Sequence, residues 1–218
     1  MKILVKFPSK ERPDKFLFAL NRLKELANHP KELQFIVSID NNDRFRSTYN
    51  QYCLRSNIPI YFGDSKNKID ACNRDMVFAK DWDIALLMSD DMIAQFRGWD
   101  DILRREMSEH FHDLDGVLFH SDGYLHKRLN TMCIVGRKWY DRKGYFYYPG
   151  YGGFCCDSEF MFVSQLEGKS FYSDQVLFKH DHPQNNKNIK NDRLYLVNDI
   201  HYIKDVPLYK ERYKKLFV

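Results

Sequence analysis

Short apolar runs alternate with amphipathic stretches along the first half of the chain. The apolar runs predict buried strands at residues 2–7, 33–39 and 58–62, and a fourth from Ile84 onward. Apolar residues at helical spacing predict helices at about 14–28, 45–54, 66–80 and 99–111. Regular alternation of strand and helix predicts an α/β fold with a mainly parallel central sheet flanked by helices.

The second half of the chain has a less regular pattern. Strands are predicted at 116–119, 132–135 and 175–180, and a helix from Asp157 to about residue 166. A loop rich in aromatic residues and glycine, 145–154, precedes that helix. No internal repeat and no linker divides the chain, so we expect a single domain.

Composition narrows the possible classes of protein. With 44% hydrophobic residues in 218, the chain has enough apolar surface for a folded core. The net charge of +4 is compatible with a phosphorylated substrate and is weak evidence for nucleic-acid binding. Five cysteines without zinc-site spacing, no secretory signal and no apolar run of about 20 residues predict reduced thiols, no transmembrane segment and a cytoplasmic location.

Two adjacent carboxylates follow the fourth predicted strand, in the sequence Ser89-Asp90-Asp91. Ligands of open α/β sheets bind at the carboxyl ends of the strands. Carboxylate oxygens suit Mg²⁺ or Mn²⁺ carrying a phosphorylated substrate. The alternative is a solvated turn, in which Asp is common.

Polar groups follow two other predicted strands. Asp40 ends the second strand, and His180 and His182 end the last one. In an extended chain two residues at this spacing share one face, and imidazole beside carboxylates binds metals of the Mn²⁺ class. The alternative for each histidine is a structural or solvent-facing role.

A further pair of acids, Asp157 and Glu159, follows the aromatic loop. A carboxylate there is a candidate general base, although acids in the first turn of a helix are also favoured by the helix dipole. The nearby tyrosines, Tyr147, Tyr148 and Tyr151, suit stacking on a sugar or a base. Lys66, Lys68, Asn73 and Arg74 are suited to hold a diphosphate, or else they are surface residues.

Several nucleotide and hydrolase motifs do not occur in the sequence. It has no G-x-G-x-x-G after the first strand, no G-x-x-x-x-G-K-[ST] and no G-x-S-x-G. These omissions argue against a dinucleotide site, a P-loop and a nucleophile elbow.

The order of these residues resembles that of the GT-A fold glycosyltransferases, in particular the family-2-like group. The resemblance covers about residues 2–183, and its most specific parts are 87–92 with Gly98-Trp99-Asp100, and Phe178-x-His180-x-His182-Pro183. Such enzymes transfer a sugar from a nucleotide diphosphate donor, usually with Mn²⁺ or Mg²⁺ at a D-x-D motif. The strict motif is not met here, because Ser89 stands where its first acid is expected.

The resemblance implies a role for each candidate residue. Asp40 would contact the base, Asp90 the ribose and Asp91 the metal, with His180 or His182 completing the metal site. Asp157 or Glu159 would be the catalytic base of an inverting enzyme. The nucleotide-sugar site as a whole would comprise Pro8, Ser9, Arg12, Asp40, Lys68, Asn73, Arg74, Ser89 and Asp90.

The function implied is metal-dependent transfer from a UDP-sugar to an acceptor hydroxyl, on a glycan, a lipid-linked sugar, a protein or a modified nucleic acid. Residues 1–111 would form the nucleotide-sugar-binding half, 112–183 the acceptor and catalytic half, and 184–218 a C-terminal loop and helical lid. Two alternatives stay open. A sugar-phosphate nucleotidyltransferase is disfavoured because the loop after the first strand, 8–13, has no glycine. A non-catalytic binding module is disfavoured by the intact acid pair.

Overall fold

A mixed sheet lies at the centre of the computed structural model, which describes residues 1–183 and 200–217. Within that part of the chain its seven strands are β1 (Ile3–Ser9), β2 (Leu33–Asp40), β3 (Ile60–Gly63), β4 (Ile84–Leu87), β6 (Val117–His120), β7 (Ile134–Gly136) and β8 (Ser170–Ser173). Their order is β3-β2-β1-β4-β7-β6-β8. Only β7 runs antiparallel to its neighbours, so the predicted mainly parallel sheet is confirmed.

Helices cover both faces of this sheet. They are α1 (Pro13–Leu26), α2 (Arg46–Arg55), α3 (Lys68–Asn73), α4 (Trp99–His110), α5 (Arg137–Lys143), α6 (Cys156–Leu166) and α7 (Tyr202–Lys214). Alternate residues of β1 enter opposite cores, because successive strand side chains point to opposite faces. Val5 packs in the core that contains Phe16 and Trp99, and Leu4 packs in the core that contains Trp139. None of the helices described is long and apolar enough to cross a membrane.

A small second sheet begins directly after the acid pair. It consists of β5 (Met92–Ala94) and β9 (Phe178–His180), which pair antiparallel with Met92 opposite His180. The strand predicted at 175–180 is shorter in the structure, Phe178–His180, and it belongs to this second sheet. The histidines therefore reach the acid pair through this two-stranded sheet.

The helix predicted at 66–80 is present but shorter, Lys68–Asn73. It ends at Asn73, and Arg74 is extended while Asp75 has a left-handed backbone with φ of 69°. The extended backbone lets the Arg74 guanidinium reach the Ile39 carbonyl at 2.8 Å. This tertiary contact outweighs the local helical pattern of residues 76–79.

Two elements of the second half were not predicted, namely α5 and β8. The strand β8 is half-buried along its length and has no apolar alternation, so its sequence lacks the usual strand signal. The first part of the predicted C-terminal loop and lid, 184–199, lies outside the described residues. The part of the predicted C-terminal lid that is described consists of residues 200–217, with α7 at its centre.

Candidate active site

Asp90 lies in the turn after β4 and is held by residues that end and follow β1. Ser9 Oγ donates to Asp90 Oδ2 at 2.8 Å, and Arg12 Nη1 donates to Oδ1 at 3.0 Å. The Tyr49 hydroxyl joins the same group, 2.9 Å from Ser9 Oγ and 2.9 Å from the Arg12 backbone nitrogen. Burial, followed by the charge of Asp91, raises the pKa of Asp90 to about 6 against the opposing effect of Arg12.

Asp91 lies beside His180. His180 Nε2 is 3.6 Å from Asp91 Oδ1, and the Ser89 hydroxyl donates to the same carboxylate. Burial alone would raise the pKa of Asp91, but His180 and Ser89 outweigh it and hold that pKa well below its usual range. The two adjacent acids therefore differ, because Asp91 stays anionic at a pH where Asp90 begins to take up a proton.

The pairing of β5 with β9 fixes the position of both histidines. The Asp181 backbone nitrogen donates to the Asp91 carbonyl at 2.8 Å, and the rings of His180 and His182 are 5.6 Å apart between centroids. Burial lowers the pKa of His182 to about 4, so its imidazole is neutral at physiological pH. His180 Nδ1 is buried and has no hydrogen-bond partner among the described residues.

Lys68, the first residue of α3, electrostatically links the acid pair to Asp157. Its charge lowers the pKa of both Asp91 and Asp157. Burial would lower the pKa of Lys68 itself, but neighbouring groups that include Cys156 raise it, so the ammonium form persists. Burial raises the pKa of Asp157 above its usual range, although the Ser158 amide, 2.8 Å away, opposes the rise.

Glu159, the second candidate base, is occupied by contacts within the protein. It accepts from the Tyr151 hydroxyl at 2.6 Å and from Arg212 Nε and Nη2 at 2.9 and 2.8 Å. The side chain is only 5% exposed. These contacts favour Asp157 as the carboxylate that faces a substrate.

Asp40 ends β2 at the same edge of the sheet. Lys10 Nζ donates to Asp40 Oδ2 at 2.8 Å, and Arg74 Nη2 lies 4.0 Å from Oδ1. The guanidinium of Arg74 also donates to Ser65 Oγ at 2.9 Å and to Asp75 Oδ2 at 2.8 Å. Arg74 therefore supports the strand end that carries Asp40.

Asn73 contacts the aromatic loop, and Pro8 is part of the central sheet. The Asn73 amide oxygen accepts from the backbone nitrogens of Phe146 and Tyr147 at 2.9 and 3.3 Å, and its nitrogen donates to the Tyr147 carbonyl at 2.7 Å. Pro8 is part of β1, opposite Ser38 of β2. Asn73 thus holds the start of the aromatic loop, a role that its sequence context did not indicate.

The aromatic loop is packed inward. Tyr147 is 7% exposed and Tyr151 is fully buried, so the expectation that these two rings stack on a sugar or base is wrong. The Arg212 guanidinium covers the Tyr148 ring, with 3.4 Å between its Cζ and the ring centroid. The rings enter the core because the sheet face beneath the loop needs apolar cover.

Three residues that shape the site, Tyr49, Lys10 and Asp205, were not singled out from the sequence, and Arg212 was expected only as part of the C-terminal acceptor site or lid. Tyr49 contacts Ser9 and Lys10 contacts Asp40. In α7, Asp205 holds the loop before Asp157, and Arg212 binds Glu159 in the helix after it. The only sequence signal for Lys10 was its place in a polar loop after β1. Nothing in the sequence near Asp205 or Arg212 indicated what they contact.

The donor set at Asp91 fits a divalent metal. The set consists of the anionic Asp91 carboxylate and the His180 imidazole, whose Nε2 lies 3.6 Å from that carboxylate and whose buried Nδ1 has no hydrogen-bond partner among the described residues. Carboxylate and imidazole are ligands that Mn²⁺-class metals use. Residues 1–183 and 200–217 contain no ready-made cluster of three or more His, Cys, Asp or Glu ligands. The protein would therefore supply a small part of the coordination shell, as is usual for Mg²⁺ sites that also bind substrate phosphates.

Structural comparison places the chain in the GT-A fold. Over 84% of this chain, it matches the mannosyltransferase PcManGT from Pyrobaculum calidifontis, solved with GDP-Man and Mn²⁺, with a TM-score of 0.68 and 12% identity. Over 89% of the chain, it matches S. aureus TarS 1-349 in complex with UDP-GlcNAc, with a TM-score of 0.65 and 15% identity.

The chain covers 57% of the PcManGT structure and 61% of the TarS structure. No protein-family model matches the chain, and no curated protein matches it either. At these identities the likeness establishes the fold, as the resemblance had predicted.

Proposed function

We propose that this protein is a glycosyltransferase that moves a sugar from a nucleoside diphosphate sugar to an acceptor hydroxyl. One observation carries the proposal, namely the convergence of charged residues at the carboxyl ends of β1, β2 and β4. There Asp90 is held by Arg12, Asp91 is paired with His180, and Lys68 acts on both Asp91 and Asp157. Ligands of open α/β sheets bind at such an edge.

The nucleotide would bind between β1, β2 and the turn after β4. Asp90, fixed by Ser9 and Arg12, is suited to accept hydrogen bonds from ribose hydroxyls. Asp40 would contact the base, and Lys68 would attract the diphosphate through its charge. The two matched structures are complexes with GDP-Man and UDP-GlcNAc, so we keep both nucleotides as candidates and expect UDP from the resemblance.

Asp91 and His180, with His182 nearby, are the residues that would hold Mn²⁺ or Mg²⁺. The neutral imidazole of His182 and the anionic Asp91 are in the protonation states that metal ligation requires. When bound, such a cation would neutralise charge that builds up on the leaving diphosphate.

Asp157 is the proposed catalytic base. It would take the proton of the acceptor hydroxyl as the new bond to the anomeric carbon forms and the bond to the diphosphate oxygen breaks. Attack from the face opposite the diphosphate gives inversion at the anomeric carbon. The raised pKa of Asp157 suits this role, because a base with a higher pKa accepts a proton more readily.

Four classes of acceptor remain candidates, namely a glycan, a lipid-linked sugar, a protein and a modified nucleic acid. The five cysteines are all free thiols, which supports work in a reducing compartment such as the cytoplasm.

The test is release of nucleoside diphosphate from a panel of UDP- and GDP-sugars, with and without Mn²⁺ or Mg²⁺, by the full chain. We expect metal-dependent release that Asp91→Ala lowers by about 10² to 10³. Asp81→Ala is the matched control, because its side chain is 80% exposed and pairs with Lys2 away from the site. No release with any donor, together with undetectable Mn²⁺ binding, would favour a sugar-binding module.

A further inference from the structure

The side chain of Asp205 in α7 binds three consecutive backbone amides of the loop before Asp157. Its two carboxylate oxygens accept from Gly152 N at 3.0 and 2.9 Å, from Gly153 N at 2.9 Å and from Phe154 N at 2.8 Å. The side chain is fully buried. Successive amides that converge in this way form an anion-binding concavity, and here the anion belongs to the protein itself.

A second contact joins α7 to the helix that contains Asp157. Arg212 donates two hydrogen bonds to the Glu159 carboxylate, at 2.9 and 2.8 Å, and Tyr151 donates a third at 2.6 Å. Such a two-pronged guanidinium–carboxylate pair fixes orientation as well as distance. The contacts of α7 therefore lie on both sides of Asp157 in the sequence, at 152–154 and at Glu159.

These contacts are directional. Asp205 is the buried residue of α7, while the apolar Leu208 and Tyr209 are only partly buried against the core. Burying a carboxylate is unfavourable unless hydrogen bonds compensate for the lost water, so the Asp205 contact requires a fixed loop geometry. An apolar contact would hold the helix to the protein without imposing that geometry.

The loop and the start of α7 also fit closely in space. A Cβ at Gly152 would lie 2.1 Å from Nδ1 of His201, the residue just before α7. At Gly144, by contrast, a Cβ would meet no atom within 4 Å. Gly152 is therefore required by the approach of His201.

We propose that Asp205 and Arg212 are positioning residues, which hold residues 152–159 so that Asp157 faces the acceptor hydroxyl. This inference rests on the proposed glycosyltransferase function. Neither residue touches the substrate, and both act through the backbone that carries Asp157. Displacement of a reacting group by about 1 Å can cost roughly 100-fold in rate.

The first test compares Asp205→Asn with Lys204→Ala, an exposed neighbour on the same helix. An asparagine presents an NH₂ group to amide donors and loses the charge, so we expect kcat to fall about 10- to 100-fold. The KM for the nucleotide sugar and the Kd for the nucleoside diphosphate should not change, because Asp90 and Asp91 lie on separate elements. Lys204→Ala should match the parent protein in all three quantities.

The second test uses the close fit at Gly152. Gly152→Ala should lower kcat by a similar factor, and adding His201→Ala should restore it, because the clashing ring is then removed. Because removal of the ring would also repair a folding defect, circular dichroism and the KM for the nucleotide sugar are measured alongside kcat, and we expect both to match the parent in Gly152→Ala. If Asp205→Asn does not fold, Gly152→Ala and its double variant with His201→Ala still test the proposal.

The outcomes separate the two proposals. If the parent protein releases no nucleoside diphosphate from any donor, the proposed function and this inference both fail. If the parent is active and Asp205→Asn is folded with an unchanged kcat, the inference alone is overturned. It is equally overturned if Gly152→Ala has the parent kcat, or if its loss is not restored by His201→Ala.

Discussion

The two sides of the candidate site are built in different ways. On the side proposed to bind the nucleotide, here the nucleotide side, Ser9, Asp40 and Asp90 lie at or just after the ends of neighbouring strands. Side-chain hydrogen bonds there join Ser9 to Asp90 and Lys10 to Asp40. On the side proposed to bind the acceptor, here the acceptor side, Asp157 follows a loop whose backbone is held by distant side chains. These are Asn73 at the start of the loop and Asp205 at its end.

The difference determines how far the effect of losing one side chain spreads on each side of the site. The register of a parallel sheet with a buried face is set by many backbone bonds, so strand ends stay in place when one side chain is lost. The acceptor loop depends on a few buried polar contacts, each of which leaves unpaired backbone groups when removed. We therefore expect substitutions on the nucleotide side to act locally and those on the acceptor side to act over a longer range.

The largest effect is expected at Asp157. Asp157→Asn keeps the shape but removes the proton acceptor, so kcat should fall by about 10² to 10⁴. Because burial raises the pKa of Asp157, the acid limb of the parent pH–rate profile should lie above the usual value of 3.8 and should vanish in the variant. Asp174→Asn, at an exposed carboxylate, is the control. An unchanged kcat would remove Asp157 from the chemistry.

The same substitution should have the opposite effect on stability. A carboxylate whose pKa is raised by folding favours the native state below its unfolded pKa and loses that contribution as the pH rises through the folded value. At neutral pH Asp157→Asn should therefore melt above the parent protein, and the difference should shrink as the pH is lowered toward 3.8. Melting temperatures measured across this range test it, and a lower melting temperature at neutral pH would contradict it.

On the nucleotide side, substitution of each of the two acids should have a different effect. Asp91→Ala should lower metal-dependent turnover by about 10² to 10³, as for loss of one electrostatic contact to the reacting charge. Asp90→Ala should weaken nucleotide binding more than Mn²⁺ binding, because Asp90 is held by Ser9 and Arg12 rather than by His180. Titrations of Mn²⁺ and of nucleotide into each variant measure both. Equal metal affinity in Asp91→Ala and the parent would reverse the assignment.

A smaller effect is expected at Asn73, which tests whether it belongs to the acceptor side. Asn73→Ala leaves backbone groups of Phe146 and Tyr147 unpaired and should lower the free energy of unfolding by about 1–3 kcal/mol. Nucleotide affinity should not change. Asn21→Ala, on the exposed face of α1, is the control in denaturant unfolding. Weaker nucleotide binding at unchanged stability would return Asn73 to the nucleotide pocket.

The smallest effect is expected at Lys10. Its ammonium is 2.8 Å from Asp40, but the side chain is 42% exposed. Lys10→Ala should therefore change the free energy of unfolding by less than about 1 kcal/mol, and added salt should reduce the effect further. A larger change that salt does not reduce would mean that Lys10, rather than the end of β2, holds Asp40.

The contrast between the two sides also explains how much could be predicted from the sequence. Strand ends are visible as apolar runs that stop before acids, so strands β2 and β4 and the position of the acid pair after β4 were predicted correctly. The role of Asn73 was not visible, because its contacts with Phe146 and Tyr147 lie more than 70 positions away. Side chains that bind distant backbone amides leave no local pattern.

The helical pattern at 66–80 misled for the same physical reason. Apolar residues at 76, 77 and 79 continued the period of α3, but Arg74 bonds to Ile39 and the helix ends before it. The histidines were placed near the acid pair, but the antiparallel pairing that brings them there was not foreseen, since β5 and β9 have three residues each. Such short strands carry little periodicity.

The contact between α7 and the loop implies an order in which parts of the chain fold during synthesis. Asp205 comes 53 positions after Gly152, so the three loop amides have no carboxylate to bind until the α7 segment has left the ribosome. Strands β1 to β4 and the acid pair are all made well before that point, and domains fold from the N-terminus during translation. The nascent chain would thus acquire the nucleotide side first, and the acceptor side only once α7 has docked.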